Sequence, residues 1–214
     1  MDVSDTAARY LPENPADLSL ATVRKRARRC EACPLYKLGT QTVFGEGASS
    51  ARIVFVGEQP GDQEDKVGKP FVGPAGHLLD EALTAAGIDR NTIYVTNAVK
   101  HFKWKPVGKR RLHQKPNARE IAACKPWLEA ELKILRPAVV VALGATAAQA
   151  LIGPAFRVTR ERGQPFDVPW ARIFFATVHP SSILRGPSKD REANLALLVA
   201  DLKKVAAHKA FRSS

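Results

Sequence analysis

The chain has 214 residues, with 33 Lys and Arg against 21 Asp and Glu and a formal net charge of +12. Hydrophobic residues at 45% and charged residues at 25% are globular proportions and exclude disorder of the whole chain, while the length suits one domain with its own core. No apolar run reaches the roughly 18 residues of a membrane span and no basic-then-apolar leader opens the sequence, so a cytoplasmic protein is expected, and the cationic excess points to a polyanionic partner, nucleic acid foremost.

Residues 1–16, with Pro12 and Pro15 and no sustained period, predict a loosely ordered arm. Leu18 to Arg29 predicts a short basic helix capped by Asp17, with Arg24, Lys25, Arg26, Arg28 and Arg29 near its C-terminal end, where cations suit the helix dipole. Four apolar runs follow, at Arg52 to Val56, Thr92 to Thr96, Ala138 to Leu143 and Arg172 to Val178. Runs such as Ile53-Val54-Phe55-Val56 and Val139-Val140-Val141 are continuous and rich in β-branched residues, as expected of strands buried on both faces. Between and after them, Gly76 to Ala86, Asn117 to Leu135, Ala145 to Leu151 and Lys189 to Ala207 have helical spacing, with Gly87 and Pro137 as stop signals. The predicted fold is α/β: a three-layer α/β/α sandwich with a central, mostly parallel four-stranded sheet, forming a single domain over residues 17–207 with a short tail at 208–214. No heptad or exposed apolar seam calls for a second copy, so a monomer is expected.

In such folds the functional loops follow the C-terminal ends of the strands. Here they are Gly57-Glu58-Gln59-Pro60-Gly61-Asp62, Asn97 to Lys115, Gly144-Ala145-Thr146 and His179-Pro180-Ser181-Ser182. Taken singly, His179 could be bonded to backbone and Glu58 could cap a turn; Phe71 could be a core residue and Asn97 a turn residue. The three cysteines, Cys30, Cys33 and Cys124, are an odd number, which argues against a disulfide framework and for a metal site or a reactive thiol.

The first and last of these loops, together with the intervening Gly68-Lys-Pro-Phe-Val-Gly-Pro-Ala-Gly76, resemble the motifs of the uracil-DNA glycosylase superfamily, in uninterrupted order from about Cys30 to Leu202. The chemistry agrees with the resemblance. Breaking the bond between uracil and deoxyribose leaves an anionic base and an electron-poor sugar, so the site needs a hydrogen-bonding or cationic partner for the uracil oxygen and a carboxylate on the sugar side. His179 and Glu58 fit those roles. The resemblance further implies that Phe71 stacks on the base and that Asn97 reads its edge, for which an amide offers one donor and one acceptor. Gln59 is expected to contribute to uracil binding mainly through its backbone, and Asp62 to support the loop or the sugar side. Ser181, Ser182 and Arg185, with Lys109, Arg110 and Arg111, are the expected DNA contacts.

The iron–sulfur branches of that superfamily hold a [4Fe–4S] cluster on four cysteines. The resemblance implies that Cys30, Cys33 and Cys124 are three of its ligands, with His101 standing where the fourth cysteine would be. Imidazole replaces thiolate in Rieske centres, so His101 is the expected fourth ligand, and a Cys3His zinc site is the chemical alternative. Between Lys100 and Arg119 lie eight Lys or Arg and no acidic residue. The Lys109-Arg110-Arg111-Leu112-His113 segment within that stretch, with His101 and the form of the first motif, resembles the UdgX branch, in which the loop histidine itself attacks the sugar. That implies a single-turnover glycosylase that excises uracil from DNA, single-stranded DNA being the expected form, and remains covalently joined through His113. Arg110 and Arg111 are expected to depress the His113 pKa and to hold phosphates, and Glu58 to orient or deprotonate the ring. Two rivals stay open: a conventional multiple-turnover glycosylase, and a noncatalytic DNA-binding module stapled by a metal.

Overall fold

The structure is a computed structural model and describes residues 6–212. In chain order the helices are α1 (Leu20–Ala27), α2 (Asp62–Val67), α3 (Pro74–Ala85), α4 (Ala118–Leu135), α5 (Ala145–Leu151), α6 (Val158–Glu161), α7 (Pro180–Arg185), α8 (Arg191–Ala207) and α9 (Lys209–Arg212). The strands are β1 (Glu46–Gly47), β2 (Ile53–Gly57), β3 (Ile93–Asn97), β4 (Trp104–Val107), β5 (Arg110–His113), β6 (Val139–Leu143), β7 (Phe166–Val168) and β8 (Ala171–Thr177).

The four predicted strands pair in parallel in the order β3-β2-β6-β8, with Ile53 opposite both Ile93 and Val139. Their central residues are apolar on both faces because alternate residues face different layers of helices. From β2, Ile53 and Phe55 join the core under α3 and α8, while Val54 and Val56 join the core under α4 and α5. Full burial of such a side chain contributes roughly 1.5–3 kcal/mol. The sheet has six strands where four were expected. The additions are the short antiparallel edges β1 and β7, of two and three residues, too brief to carry a sequence period.

Two further expectations change. Ser19, not Asp17, caps α1, accepting a bond from the Thr22 amide; Asp17 instead closes a 3-10 turn. Of the expected loose arm, residues 1–5 lie outside the described residues. Ala7–Tyr10, however, forms a 3-10 turn with Ala7 buried and the Tyr10 ring 6.2 Å from that of Trp127. Beyond the predicted domain end, Ala210 is buried against the core in the last turn.

A buried ion pair holds the end of β3. Lys100 Nζ lies 2.6 Å from Glu131 Oε2, with neither side chain exposed. It also donates to Thr96 Oγ1 and to the Asn97 carbonyl. Glu131 in turn accepts from the Gly45 amide, the Tyr94 hydroxyl and Thr96 Oγ1. Every polar group of this network is satisfied, the condition under which a buried pair persists, and the turn that begins at Asn97 is thereby fixed.

Candidate active site at the C-terminal edge of the sheet

The loops after β2, β3, β6 and β8 meet in one groove. Two adjoining cavities of about 310 and 320 Å³ share His113, His179, Ser181 and Arg185 along their common wall. Glu58 and Thr146 line one side; Gln59, Asp62, Phe71 and Asn97 line the other.

His179 caps α7. Its Nδ1 accepts from the Ser181 amide at 3.1 Å and lies 2.8 Å from Ser181 Oγ, so the neutral ring carries its proton on Nε2. Burial, reinforced by Arg185 and His113, pushes its pKa down to about 4. At neutral pH it is therefore an uncharged N–H donor. The Phe71 ring lies 6.0 Å from the His179 ring at 24°. Phe71 has φ of 56°, a conformation costly for a bulky side chain. It is held there by close packing, because a Cβ on Gly76 would stand 1.9 Å from the Phe71 carbonyl oxygen. At the end of β2, a Cβ on Gly57 would meet Asn97 Oδ1 at 2.4 Å and Phe71 Cζ at 2.7 Å. Glycine there lets amide and ring approach the strand. Asn97 is 2% exposed.

Glu58 accepts a short hydrogen bond from the Thr146 hydroxyl through Oε2, while its Oε1 lies 3.4 Å from His113 Nε2. Thr146 is a site residue the sequence reading named only as part of its loop; a lone polar side chain opening α5 was the available signal. Glu64 was missed outright. It accepts from the Gly61 and Gly73 amides and so ties the loop after β2 to the loop that carries Phe71.

The basic segment after β3, expected as a loop, is an antiparallel hairpin in which Trp104 pairs with His113 and Val107 with Arg110. Gly108 takes a φ of 57° in its two-residue turn. The Gln59 side chain has a further role: Nε2 donates to the Lys103 and Gln114 carbonyls and Oε1 accepts from the Lys103 amide. It clasps the stem of the hairpin.

Arg111 also departs from expectation. It points inward, pairing with Asp62 at 2.5 Å and Asp65 at 2.6 Å and lying over the rings of Phe102 and Trp104, so it is not offered to phosphate. Asp62 is correspondingly engaged. Its partial burial would raise its pKa, but hydrogen bonds from Lys66 and Arg111 hold it below the usual value. Its carboxylate braces the hairpin. Lys109 and Arg110 are exposed at the tip. Burial lowers the His113 pKa, against the opposing field of Glu58 and with that of Arg185; the cation that bears on His113 is thus Arg185 and not Arg110 or Arg111.

The three thiols come together beside α1 and α4. Cys30 and Cys124 sit in one apolar cluster with Cys33 packed against it. Trp127 Nε1 donates to Cys30 Sγ and the Lys100 amide to Cys124 Sγ, both at 3.2 Å. Burial pushes the Cys124 thiol up to about 12, Lys100 opposing and the other two cysteines adding. His101 does not complete the set. Its Nε2 lies 2.9 Å from Thr42 Oγ1, whose own proton goes to the Ala27 carbonyl. Among the described residues, no group of three or more His, Cys, Asp or Glu side chains stands in a metal-holding arrangement. Three soft donors, Cys30 and Cys124 buried and Cys33 half-buried, two of them already accepting N–H bonds, nonetheless have the chemistry of an iron–sulfur ligand set, in which such bonds tune the sulfurs.

Comparison with known proteins agrees with this geometry. The pattern of the uracil DNA glycosylase superfamily matches residues 44–203. A type-4 uracil-DNA glycosylase of Thermotoga maritima is 44% identical over 169 residues, covering 78% of this chain and 84% of that protein. One from Archaeoglobus fulgidus is 34% identical over 87% of this chain and 92% of its own length. A type-5 uracil-DNA glycosylase of Thermus thermophilus is 32% identical over 82% and 83%. With its sheet-edge groove and a match that spans most of its length, the chain belongs to the uracil-DNA glycosylase superfamily.

Proposed function

We propose that this protein excises uracil from DNA in a single turnover and remains joined to the deoxyribose through His113. The observation that carries the covalent part is the 3.4 Å approach of His113 Nε2 to Glu58, which puts an imidazole beside the carboxylate that would otherwise activate water. Its lowered pKa keeps the ring neutral, the form that has a lone pair to donate.

In this reading uracil lies against Phe71 with its edge read by the Asn97 amide. The C1′–N1 bond breaks with its electron pair leaving on the base, and the His179 Nε2–H bonds the oxygen where that charge gathers. A ring nitrogen of His113 forms the new bond to C1′. The ring becomes cationic, and Glu58 takes a ring proton to leave a neutral N-alkyl imidazole with no easy hydrolytic exit. Thr146 holds the second oxygen of Glu58 and so fixes the carboxylate's direction. Asp62 and Gln59 serve as braces of the hairpin. Lys109, Arg110, Ser181, Ser182 and Arg185 are the proposed contacts to the DNA backbone, single-stranded DNA being the form we expect, bound by a monomer.

Cys30, Cys33 and Cys124 would hold a [4Fe–4S] cluster, with His101 as fourth ligand after its ring leaves Thr42. The cluster would supply a structural cross-link between the segment before β1 and α4.

The test is a uracil-containing single-stranded oligonucleotide incubated with the protein and resolved on a denaturing gel. A shifted protein–DNA band of unit stoichiometry, lost in His113→Ala, is the expected result. Free abasic product in molar excess over protein would replace the covalent reading with ordinary turnover. DNA binding with no uracil release would overturn the glycosylase reading as well.

A further inference from the structure

A predominantly apolar cavity lies away from the groove described above. It lies at the opposite, N-terminal edge of the sheet, where α4 ends, β6 begins and the β7–β8 turn folds over, and its volume is about 630 Å³, in the range of ligand-accepting clefts. Its floor is Leu132, Pro137, Leu151 and Trp170. Trp170 is held edge-on against Phe174 at 5.9 Å and 76°, so the indole is a fixed wall and not a loose surface ring.

The rim is cationic. Lys125, Lys133, Arg136 and Arg172 surround the opening and all four are exposed. One acidic residue, Glu129, shares the rim and is paired with Lys125 at 3.5 Å. Three cations thus face the opening with no ion pair among the described residues. The helix dipole accounts for cations at the end of α4, but not for Arg172, which belongs to β8. Arg136 is also unusual in its backbone. It ends α4 at a φ of 46°, a position that glycine fills without strain.

We infer that this pocket docks an acidic protein segment carrying an aromatic or aliphatic anchor. The apolar floor takes the anchor and the unpaired cations take flanking carboxylates, with Arg geometry suited to bidentate carboxylate bonds. A nucleic-acid strand suits it less. Backbone binding calls for donors that track successive phosphates, and base binding for aromatic platforms in series, whereas here a single indole closes an apolar recess. Because the pocket and the groove lie at opposite sheet edges, a partner could be held while DNA is bound. The inference does not depend on the covalent chemistry proposed for His113.

The test is fluorescence anisotropy of a labelled peptide, acetyl-Asp-Glu-Asp-Leu-Phe-Asp-Glu-Asp, titrated with the full protein at low salt. Saturable binding is expected, weakened about five- to tenfold by Lys133→Glu or Arg172→Glu through charge reversal at the rim. The same binding should be lost when Leu-Phe is replaced by Ser-Ser or the acids by their amides. Both variants should retain wild-type yields of the uracil-dependent product, which certifies their folding. Peptide binding that ignores the two reversals would overturn the inference, as would a labelled oligothymidine bound more tightly than the peptide and weakened by the same substitutions.

Discussion

Replacing Gly57 by Ala puts one methyl group into the base pocket and tests whether Asn97 and Phe71 form it. The new Cβ would stand 2.4 Å from Asn97 Oδ1 and 2.7 Å from Phe71 Cζ, against an ordinary van der Waals contact of about 3.4 Å or more. One or both side chains must therefore move by something near 0.7–1 Å. Neither moves freely: Asn97 ends β3, where Lys100 bonds its carbonyl, and Phe71 is pinned by Gly76. Overpacking of this kind costs about 1–3 kcal/mol, which for a chain of this size lowers the melting midpoint by roughly 2–4 °C per kcal/mol. The functional cost should be larger in proportion, since a displacement near 1 Å at a reacting site reduces rates by about a hundredfold. The assay is single-turnover uracil release followed at saturating protein, with Gly186→Ala as the control, because a Cβ there meets nothing nearer than 3.4 Å. If Gly57→Ala melts within a degree of wild type and releases uracil within twofold of its rate, Asn97 and Phe71 are not the walls of the pocket.

Arg111→Ala should destabilise the protein by about 2–3 kcal/mol and make the hairpin more sensitive to protease, because Asp65, with no exposed side-chain surface, would lose its cation. Arg110→Ala should leave the denaturation midpoint alone and reduce the salt slope of DNA binding by about one; equal melting of the two variants would refute the inward role of Arg111. Product formation should stay level as pH falls from 8 to about 6 and decline below that, since His179 must remain neutral and its pKa is held near 4, with His113 also below its ordinary value. A decline centred at pH 6.5 or above in initial rates would contradict the lowered pKa values of the two rings. Lys100→Met should cost about 3–5 kcal/mol by stranding the Glu131 carboxylate, and Lys100→Met with Glu131→Leu should recover much of that in urea unfolding. A double variant no more stable than the single would mean that stranded charge is not the cause.

The parallel strands were legible because a strand buried on both faces writes itself as an unbroken β-branched run, as in Val139-Val140-Val141. The edges were not, since Glu46–Gly47 and Phe166–Val168 are set by neighbours and not by a period of their own. Glu58, His113 and His179 could be gathered from loop order together with the motif resemblance. What stayed hidden was direction. In a run such as Lys109-Arg110-Arg111 composition does not distinguish a cation turned to solvent from one turned to Asp62. Strand alternation does, once Gly108 is recognised as a hairpin turn, because it puts Arg111 and His113 on one face and Arg110 and Leu112 on the other. The clasp made by the Gln59 side chain is illegible for a related reason. Its partners are the backbone groups of Lys103 and Gln114, which are 44 and 55 residues away in sequence, and carry no side-chain signal. His101 followed from motif position, whereas its ring is bonded to Thr42, a residue in no motif.

The hairpin leaves and rejoins the chain at a single point, where the Gln114 amide donates to the Lys103 carbonyl at 2.9 Å. Everything between those residues is an excursion whose ends already touch, and none of it contributes a rung to the six-stranded sheet. Such a segment behaves as a portable part. It could be spliced in or cut out in frame without shifting the register of any strand, and its anchorage rests on a glutamine at the stem, an acidic socket for one arginine and the Trp104 indole bonded to the Leu38 carbonyl. On the covalent reading proposed for His113, a change of reaction outcome would then require no redesign of the scaffold, only the gain or loss of ten contiguous residues, 104–113.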